Sequence, residues 1–329
     1  MLNQTKLNQL KNQDKVDHFL LLTNFSLKSA KTGKNFLDME LRDETVSLNA
    51  KMWSGFESIL GNIKSGIIVK VLGSVDEFNN QQQIKVEKIR IADKNDKIMV
   101  DDFLPKSKRD LVEMENEFKS ILDSIDSKYL KLLLKNIFNV ENYSKYKIVP
   151  AGKSWHHAYI SGLFEHTLEI IKICDLMCKF HSEANRDLLI TGAILHDLGK
   201  IEELEFSTGF DYTDKGKLVG HIVIAANIIE NEIRKIENFP EELKNQLLHI
   251  VLSHQGKLEF ASPVIPKTLE AIILYHADEL SAKSNAYKNA ILSEKESGNS
   301  WTKYLPLAET SLYLKKVESS NDEFKETLF

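Results

Sequence analysis

The sequence predicts a multidomain protein, with an all-β barrel at the N-terminus and an all-α helical bundle behind it. Three observations carry that expectation. Between Val16 and about Asp93, apolar and polar residues alternate with period two, as half-buried strands require. From Lys108 onward the apolar spacing turns helical and stays so. Between them, residues 92–107 are charged and contain Pro105, which reads as a connecting segment.

A length of 329 residues suits two domains, and 42% hydrophobic against 28% charged residues leaves apolar material for both cores. No apolar run approaches the roughly 18 residues that cross a bilayer. Residues 1–17 are polar and lack the apolar centre of a signal peptide. Cys174 and Cys178 read as ordinary thiols in a reducing, cytoplasmic compartment. The net charge of −5 is uneven, with a mildly basic first hundred residues and an acidic remainder. That split suits a modest polyanion-binding head but does not by itself point to nucleic acid.

Residues 1–14, rich in Asn, Gln and Lys, are expected to form a short helix or loose arm. Within 15–93, strands are expected at 19–27, 35–41, 46–53, 66–73 and 83–91. Turns at 31–34 and 42–45 join the first three, and a short helix or loop at 56–63 separates the third from the fourth. Five short strands with that interruption suit a Greek-key barrel of the OB type. Residues 94–150 hold the linker and connecting helices, with one or two helices over 109–138 and a loop over 143–154. Residues 151–290 form the bundle, with helices at 162–180, 186–198, 218–236, 241–253 and 266–290. Pro266 is read as a helix start, where its missing N–H costs nothing. The tail, 291–329, is expected to fold back from Leu305 as a strand or short helix.

Chemistry concentrates in the bundle, since nine of the ten histidines lie between His156 and His276. In Gly192-Ala-Ile-Leu-His-Asp-Leu-Gly-Lys200 an apolar helix runs into His196-Asp197. An unpaired buried carboxylate is costly, and His with Asp is a ligand set for Zn²⁺, Mn²⁺ or Fe. Alone, the pair is more simply a capped helix end with a bonded core histidine. His166, His221, His254 and Asp278 change that. Each lies on a different expected helix or at its end, among apolar neighbours. Packed helices can aim such residues at one spot.

The ordered series His166, His196-Asp197, His221, His254, Asp278 resembles the H…HD…H…H…D pattern of the HD superfamily of metal-dependent phosphohydrolases, over about residues 155–285. A narrower likeness spans nearly the whole chain. An OB barrel joined to an HD domain, with Trp155-His-His-Ala-Tyr-Ile-Ser-Gly-Leu-Phe-Glu-His-Thr167, Ser253-His-Gln-Gly256 and His276-Ala-Asp-Glu-Leu280, resembles the YhaM-type 3′→5′ exoribonucleases. Beside the resemblance, chemistry assigns His166, His196, Asp197 and Asp278 to a first ion. His221 and His254 are expected to hold a second where one is bound, with Asp197 bridging. Two ions about 4 Å apart can clamp the attacking and leaving oxygens of a phosphodiester and lower the pKa of bound water toward about 7. Lys200 is a candidate for neutralising a phosphate oxygen. His157 is a candidate for protonating the leaving group or holding a phosphate, ahead of His156. His18 is expected at the surface and His181 at a helix end beside the dipole. His249 and His276 lie off the faces that carry the ligands.

OB barrels bind single strands by stacking bases on aromatics in a basic groove. Candidates are Phe36 and Trp53, with Phe25 and Phe78, half of them expected to be core. Lys31, Lys34 and Arg42, with Lys28 and Lys51, are the cationic candidates. The expected activity is metal-dependent 3′→5′ hydrolysis of single-stranded RNA, with single-stranded DNA as a second substrate. The divalent metal is expected to be Mn²⁺, ahead of Zn²⁺, Fe²⁺ or Mg²⁺, as one or two ions. No membrane contact is expected, and homo-oligomerisation is left open. Nucleoside 5′-monophosphates are the products that the resemblance implies. The alternatives are an HD hydrolase of a small nucleotide or cyclic dinucleotide, which the absence of a GYP triplet after the HD pair weakens, and a non-catalytic strand binder with a structural metal.

Overall fold

The computed structural model describes residues 4–78, 81–153, 155–206, 209–295 and 298–315. Part of the expected tail, residues 316–329, therefore lies outside the described residues.

Strands β1 (Lys15–Ser29), β2 (Asn35–Arg42), β3 (Ser47–Met52), β4 (Ile67–Phe78) and β5 (Gln81–Ile91) close a barrel in the order β1-β2-β3-β5-β4. The β3–β5 pair is parallel and the other pairs are antiparallel. β1 is long enough to serve two neighbours. Its first half pairs with β4 and its second with β2, with a register shift between Leu22 and Asn24. Helix α1 (Glu57–Leu60) lies between β3 and β4, at the expected interruption. Inward residues such as Leu20, Leu37, Met39, Leu41, Val71 and Ile84 fill the barrel.

The N-terminal arm is seated rather than loose. Leu7 and Leu10 join the barrel core, and the Leu7 N–H donates to Asp43 Oδ2 at 2.7 Å. His18 corrects an expectation, since it is buried, not exposed. It continues the inward alternation of Val16, Leu20 and Leu22. Its Nδ1 accepts from Asp17 N at 2.9 Å and its Nε2 donates to the Thr5 carbonyl at 2.7 Å.

The helical part contains α2 (Leu111–Asp123), α3 (Lys128–Ile137), α4 (Val140–Ile148), α5 (Gly162–Phe180), α6 (Arg186–Leu195) and α7 (Lys200–Glu203). A two-stranded hairpin follows, β6 (Leu204–Phe206) and β7 (Phe210–Tyr212), then α8 (Asp214–Val219), α9 (His221–Ile233), α10 (Glu241–Ser253) and α11 (Leu269–Glu294). One core unites them, with Leu163, Leu189, Ile194, Ile229, Ile250 and Leu274 among its members.

Three expectations need correction, and one element was not expected. The segment at 143–154 is not all loop: α4 runs to Ile148 and is capped by Asn139, whose side chain accepts from Asn142 N. Tyr146 anchors that helix, its hydroxyl donating to the Ile194 carbonyl at 2.8 Å. The segment at 218–236 is not one helix, because Gly220 at φ 77° separates α8 from α9. The last long helix starts after Thr268, which caps Ala271 N, rather than at Pro266. The β6–β7 hairpin gave no recognisable strand signal, being three residues on each side.

The connector is ordered. Phe103 and Leu104 are buried with Leu21 of the barrel and Phe210 of β7. Just beyond, Ile160 N donates to the Pro105 carbonyl at 2.8 Å and Ser107 N to the Ile160 carbonyl at 2.9 Å.

Candidate active site

The site follows from the burial of α6. Residues 188–195 are all buried, so the next turn carries His196 and Asp197 into the core at 0% and 2% exposure. Gly199 then lets α9 approach. A Cβ there would lie 2.0 Å from the His221 carbonyl oxygen. That contact sets His221 Nε2 3.3 Å from Asp197 Oδ1. His254 caps the C-terminus of α10, with Nε2 3.6 Å from the same oxygen. On the other side, His166 of α5 places Nε2 3.0 Å from Asp278 Oδ1 of α11. All six expected ligands therefore line one centre, built from five different parts of the chain.

The outer nitrogens of the four histidines fix their inner ones. His196 Nδ1 donates to the Ala193 carbonyl at 2.8 Å and His254 Nδ1 to the Val251 carbonyl at 2.7 Å. His221 Nδ1 donates to Glu203 Oε1 at 3.0 Å. His166 Nδ1 lies 3.0 Å from Ser281 Oγ, whose single proton goes to Glu169 Oε2 at 2.8 Å, so the imidazole is the donor. In the neutral rings every Nε2 is then a bare lone pair facing carboxylate oxygens. Acceptors facing acceptors at 3.0–3.6 Å are reconciled by a proton or a metal cation between them. Consistently, His196 Nε2, Asp197 Oδ1 and His221 Nε2 are buried without a hydrogen-bond partner. His166, His196 and Asp197 form one possible ligand group and Asp197, His221 and His254 a second, with ligand atoms within 4.8 Å inside each. The donor set fits one or two divalent ions, with Asp197 common to both groups.

Charge balance without an ion is held locally. Burial would raise the Asp197 carboxyl, but Lys200 and His196 hold it well below its ordinary value. For Asp278, burial would likewise raise the carboxyl, but the neighbouring His166 and His196 outweigh it and the net shift is downward. Burial pushes His166 and His254 down. Burial also opposes the charge on His196, but Asp197 outweighs it and the net shift is upward.

Other expected residues divide. Lys200 Nζ is 2.7 Å from Asp197 Oδ2 and also donates to the Ala151 carbonyl. It lines a cavity of about 570 Å³ with Asp197, His254 and Asp278. His156 lines that cavity too, whereas His157 is fully enclosed. The His157 ring bonds the Tyr159 hydroxyl through Nδ1 at 2.6 Å, and its backbone N–H donates to Asn285 at 2.9 Å. Burial drives His156 down to about 3, with His166 and Lys200 adding to the shift. Glu203, Ser281 and Glu169 join the site without being among the expected residues. The last two were within reach, since Ser281 is three residues from Asp278 and Glu169 three from His166, sharing their helix faces.

On the barrel, Trp53 stacks on Phe36 with centroids 4.6 Å apart. Trp53 is 37% exposed, Phe36 9% and Phe78 59%. Phe25 packs against the core. Lys51 Nζ lies 5.1 Å from the Phe78 ring centre, and both line a groove of about 340 Å³ with Phe36 and Gln83. Lys31 and Lys34 are exposed in the β1–β2 turn. Arg42 stands at the opposite end of β2, half-buried and with Nε unpartnered. Alternation nevertheless gives it the Phe36 face.

Comparison with known proteins agrees with both halves. The OB-fold nucleic acid binding domain family matches residues 22–92 and the HD domain family residues 163–283. The chain is 33% identical over 311 residues to the 3′-5′ exoribonuclease YhaM of Geobacillus sp. (strain WCH70), covering 93% of this chain and 94% of that one. It is 32% identical to the YhaM of Bacillus licheniformis over 84% of this chain and 88% of that one. It is 31% identical to the YhaM of Bacillus subtilis (strain 168), again over 84% and 88%. With its barrel, its histidine–aspartate centre and these full-length relatives, the chain belongs to the YhaM family of 3′→5′ exoribonucleases.

Proposed function

We propose that this chain removes nucleotides from the 3′ end of single-stranded RNA, and of single-stranded DNA as a second substrate, releasing nucleoside 5′-monophosphates. One observation carries the reading. Four imidazole nitrogens and two carboxylates converge on one centre, and Asp197, His254 and Asp278 among them line a cavity, in a chain whose other domain is a nucleic-acid-binding barrel. His166, His196, Asp197 and Asp278 would hold a first ion, and Asp197, His221 and His254 a second. Mn²⁺ is the proposed ion; Zn²⁺, Fe²⁺ and Mg²⁺ also suit this N/O ligand set. When bound, such ions supply Lewis acidity at the phosphoryl oxygens and a nucleophilic water near neutral pH.

The chain's own residues do the rest. Lys200, held between Asp197 and the Ala151 carbonyl, keeps one N–H for a non-bridging phosphate oxygen. His156, neutral and at the cavity wall, offers a hydrogen bond to substrate rather than a proton. His157 holds the loop that presents it. Phe36, Trp53, Lys51 and Phe78, with Lys31, Lys34 and Arg42, grip the strand by stacking and charge. Both cysteines are free, which suits the reducing cytoplasm.

The test uses 5′-labelled single-stranded RNA with Mn²⁺, beside Asp197→Ala. A ladder shortening from the 3′ end with the wild type, absent with the variant, is expected. Intact RNA with the wild type in every divalent metal would overturn the proposal.

A further inference from the structure

The chain after α11 folds back onto the cavity. Residues 300–314 form a hairpin through antiparallel bridges Trp301–Tyr313 and Leu305–Thr310. The Trp301 and Tyr313 rings pair at 5.1 Å, and Thr302 N donates to the Leu312 carbonyl at 2.8 Å. Its base is tied to the end of α11, where Lys303 N donates to the Glu294 carboxylate at 3.1 Å. Its tip, Pro306, Ala308 and Glu309, lines the same cavity as Asp197 and Asp278. Both family matches stop short of it, at residues 92 and 283.

This end of the cavity has a defined chemistry. Tyr275 and Tyr287 of α11 supply flat apolar surface. Lys283 is paired with Glu279 at 2.6 Å, so its charge is spent. Glu309 forms no ion pair among the described residues, which leaves one net negative charge at the wall. It is also held at φ 52°, a left-handed backbone where glycine would be easier. A carboxylate accepts hydrogen bonds from ribose hydroxyls, the use an acidic residue has against a nucleotide ribose elsewhere. The same group repels a phosphate.

We propose that the tail hairpin is the wall that selects a free 3′ end: the terminal nucleoside lies between Tyr275, Tyr287 and the hairpin tip, with its 2′- and 3′-hydroxyls toward Glu309. A strand continuing with a further phosphate, or ending in a 3′-phosphate, meets both the wall and its charge. This rests on the exonuclease reading and says what makes the site act at an end.

The test measures initial rates on matched single-stranded RNAs ending in 3′-hydroxyl or 3′-phosphate, using the full chain and Mn²⁺. The wild type is expected to prefer the hydroxyl end by about tenfold or more, the scale of one like-charge contact. Glu309→Gln and Glu309→Gly lower that ratio, and Glu309→Lys lowers it furthest. The glycine variant suits the left-handed backbone, which guards against a folding defect. The ratio compares two substrates on one protein, so a partly folded variant still reports it. An unchanged ratio in all three variants, or equal wild-type rates on both ends, overturns the proposal while leaving the exonuclease reading intact. No degradation of either RNA by the wild type removes that reading, and this inference with it.

Discussion

Glu203 grips His221 twice, its Oε1 accepting the backbone N–H at 2.9 Å and the Nδ1–H at 3.0 Å. The two bonds set both the start of α9 and the tautomer that turns Nε2 toward Asp197. Glu203→Ala removes the hold without touching a proposed ligand. Metal affinity is expected to fall by about 10–100-fold, the usual cost of losing such a partner. Calorimetric titration of Mn²⁺ into the metal-free protein measures it. Wild-type affinity would show that another contact orients His221.

Stabilisation by metal should grow with pH, because the ligand histidines must be unprotonated to bind it. His196 has a raised folded pKa, so in metal-free protein its contribution is full below the unfolded value of about 6.5 and is lost as pH rises through the folded one. Asp197 and Asp278 are lowered, so theirs is present above about pH 4 and lost on acidification. Metal binding needs the His196 proton gone. The difference in Tm between Mn²⁺-loaded and chelator-treated protein should therefore widen from about pH 6 to about pH 8. A constant gap across that range would count against His196 as a ligand.

Trp53 is the cleanest probe of the barrel. Phe36 is nearly buried beneath it, so Phe36→Ala would cost about 3 kcal/mol or more of stability as well as stacking. Trp53→Ala should raise KM for single-stranded RNA by roughly 5–150-fold, from about 1–3 kcal/mol of lost stacking. kcat should hold, since the ring belongs to the barrel and is not among the residues lining the catalytic cavity. A loss confined to kcat would contradict the assigned role.

Gly256 supports the cavity from outside. It lies at φ 77°, and a Cβ there would sit 2.2 Å from Tyr275 Cε2. Gly256→Ala must move either the Tyr275 ring or the turn that follows His254. A destabilisation of about 1 kcal/mol or more with a raised KM is expected, read by urea unfolding and steady-state kinetics. Unaltered values in both would mean that the turn relaxes without reaching the site.

The six converging side chains were legible because each is a polar residue in an otherwise apolar helical segment. That anomaly survives without coordinates. The five strands were legible for the same reason, through period two. His18 was missed because the first strand was begun at Phe19. Begun at Val16, as β1 shows, the alternation puts His18 inside. His156 and His157 are neighbours, and the sequence cannot say which one faces the cavity. A positive φ of 42° at His157 helps turn its ring inward, a feature no residue type announces there. Glu203 sits in a four-residue helix too short for periodicity. The tail hairpin owes its shape to two isolated bridges and an anchor on α11, contacts that leave no local pattern.

The ordered connector has a mechanical corollary. Since Phe103 and Leu104 are wedged between Leu21 and Phe210, and Pro105 and Ser107 bond Ile160 just past the two histidines, the barrel cannot drift away from the cutting centre on a slack tether. A strand that touches both surfaces must bridge a set span. On the proposed function, a remnant too short to reach both surfaces would lose the avidity of the second and depart sooner.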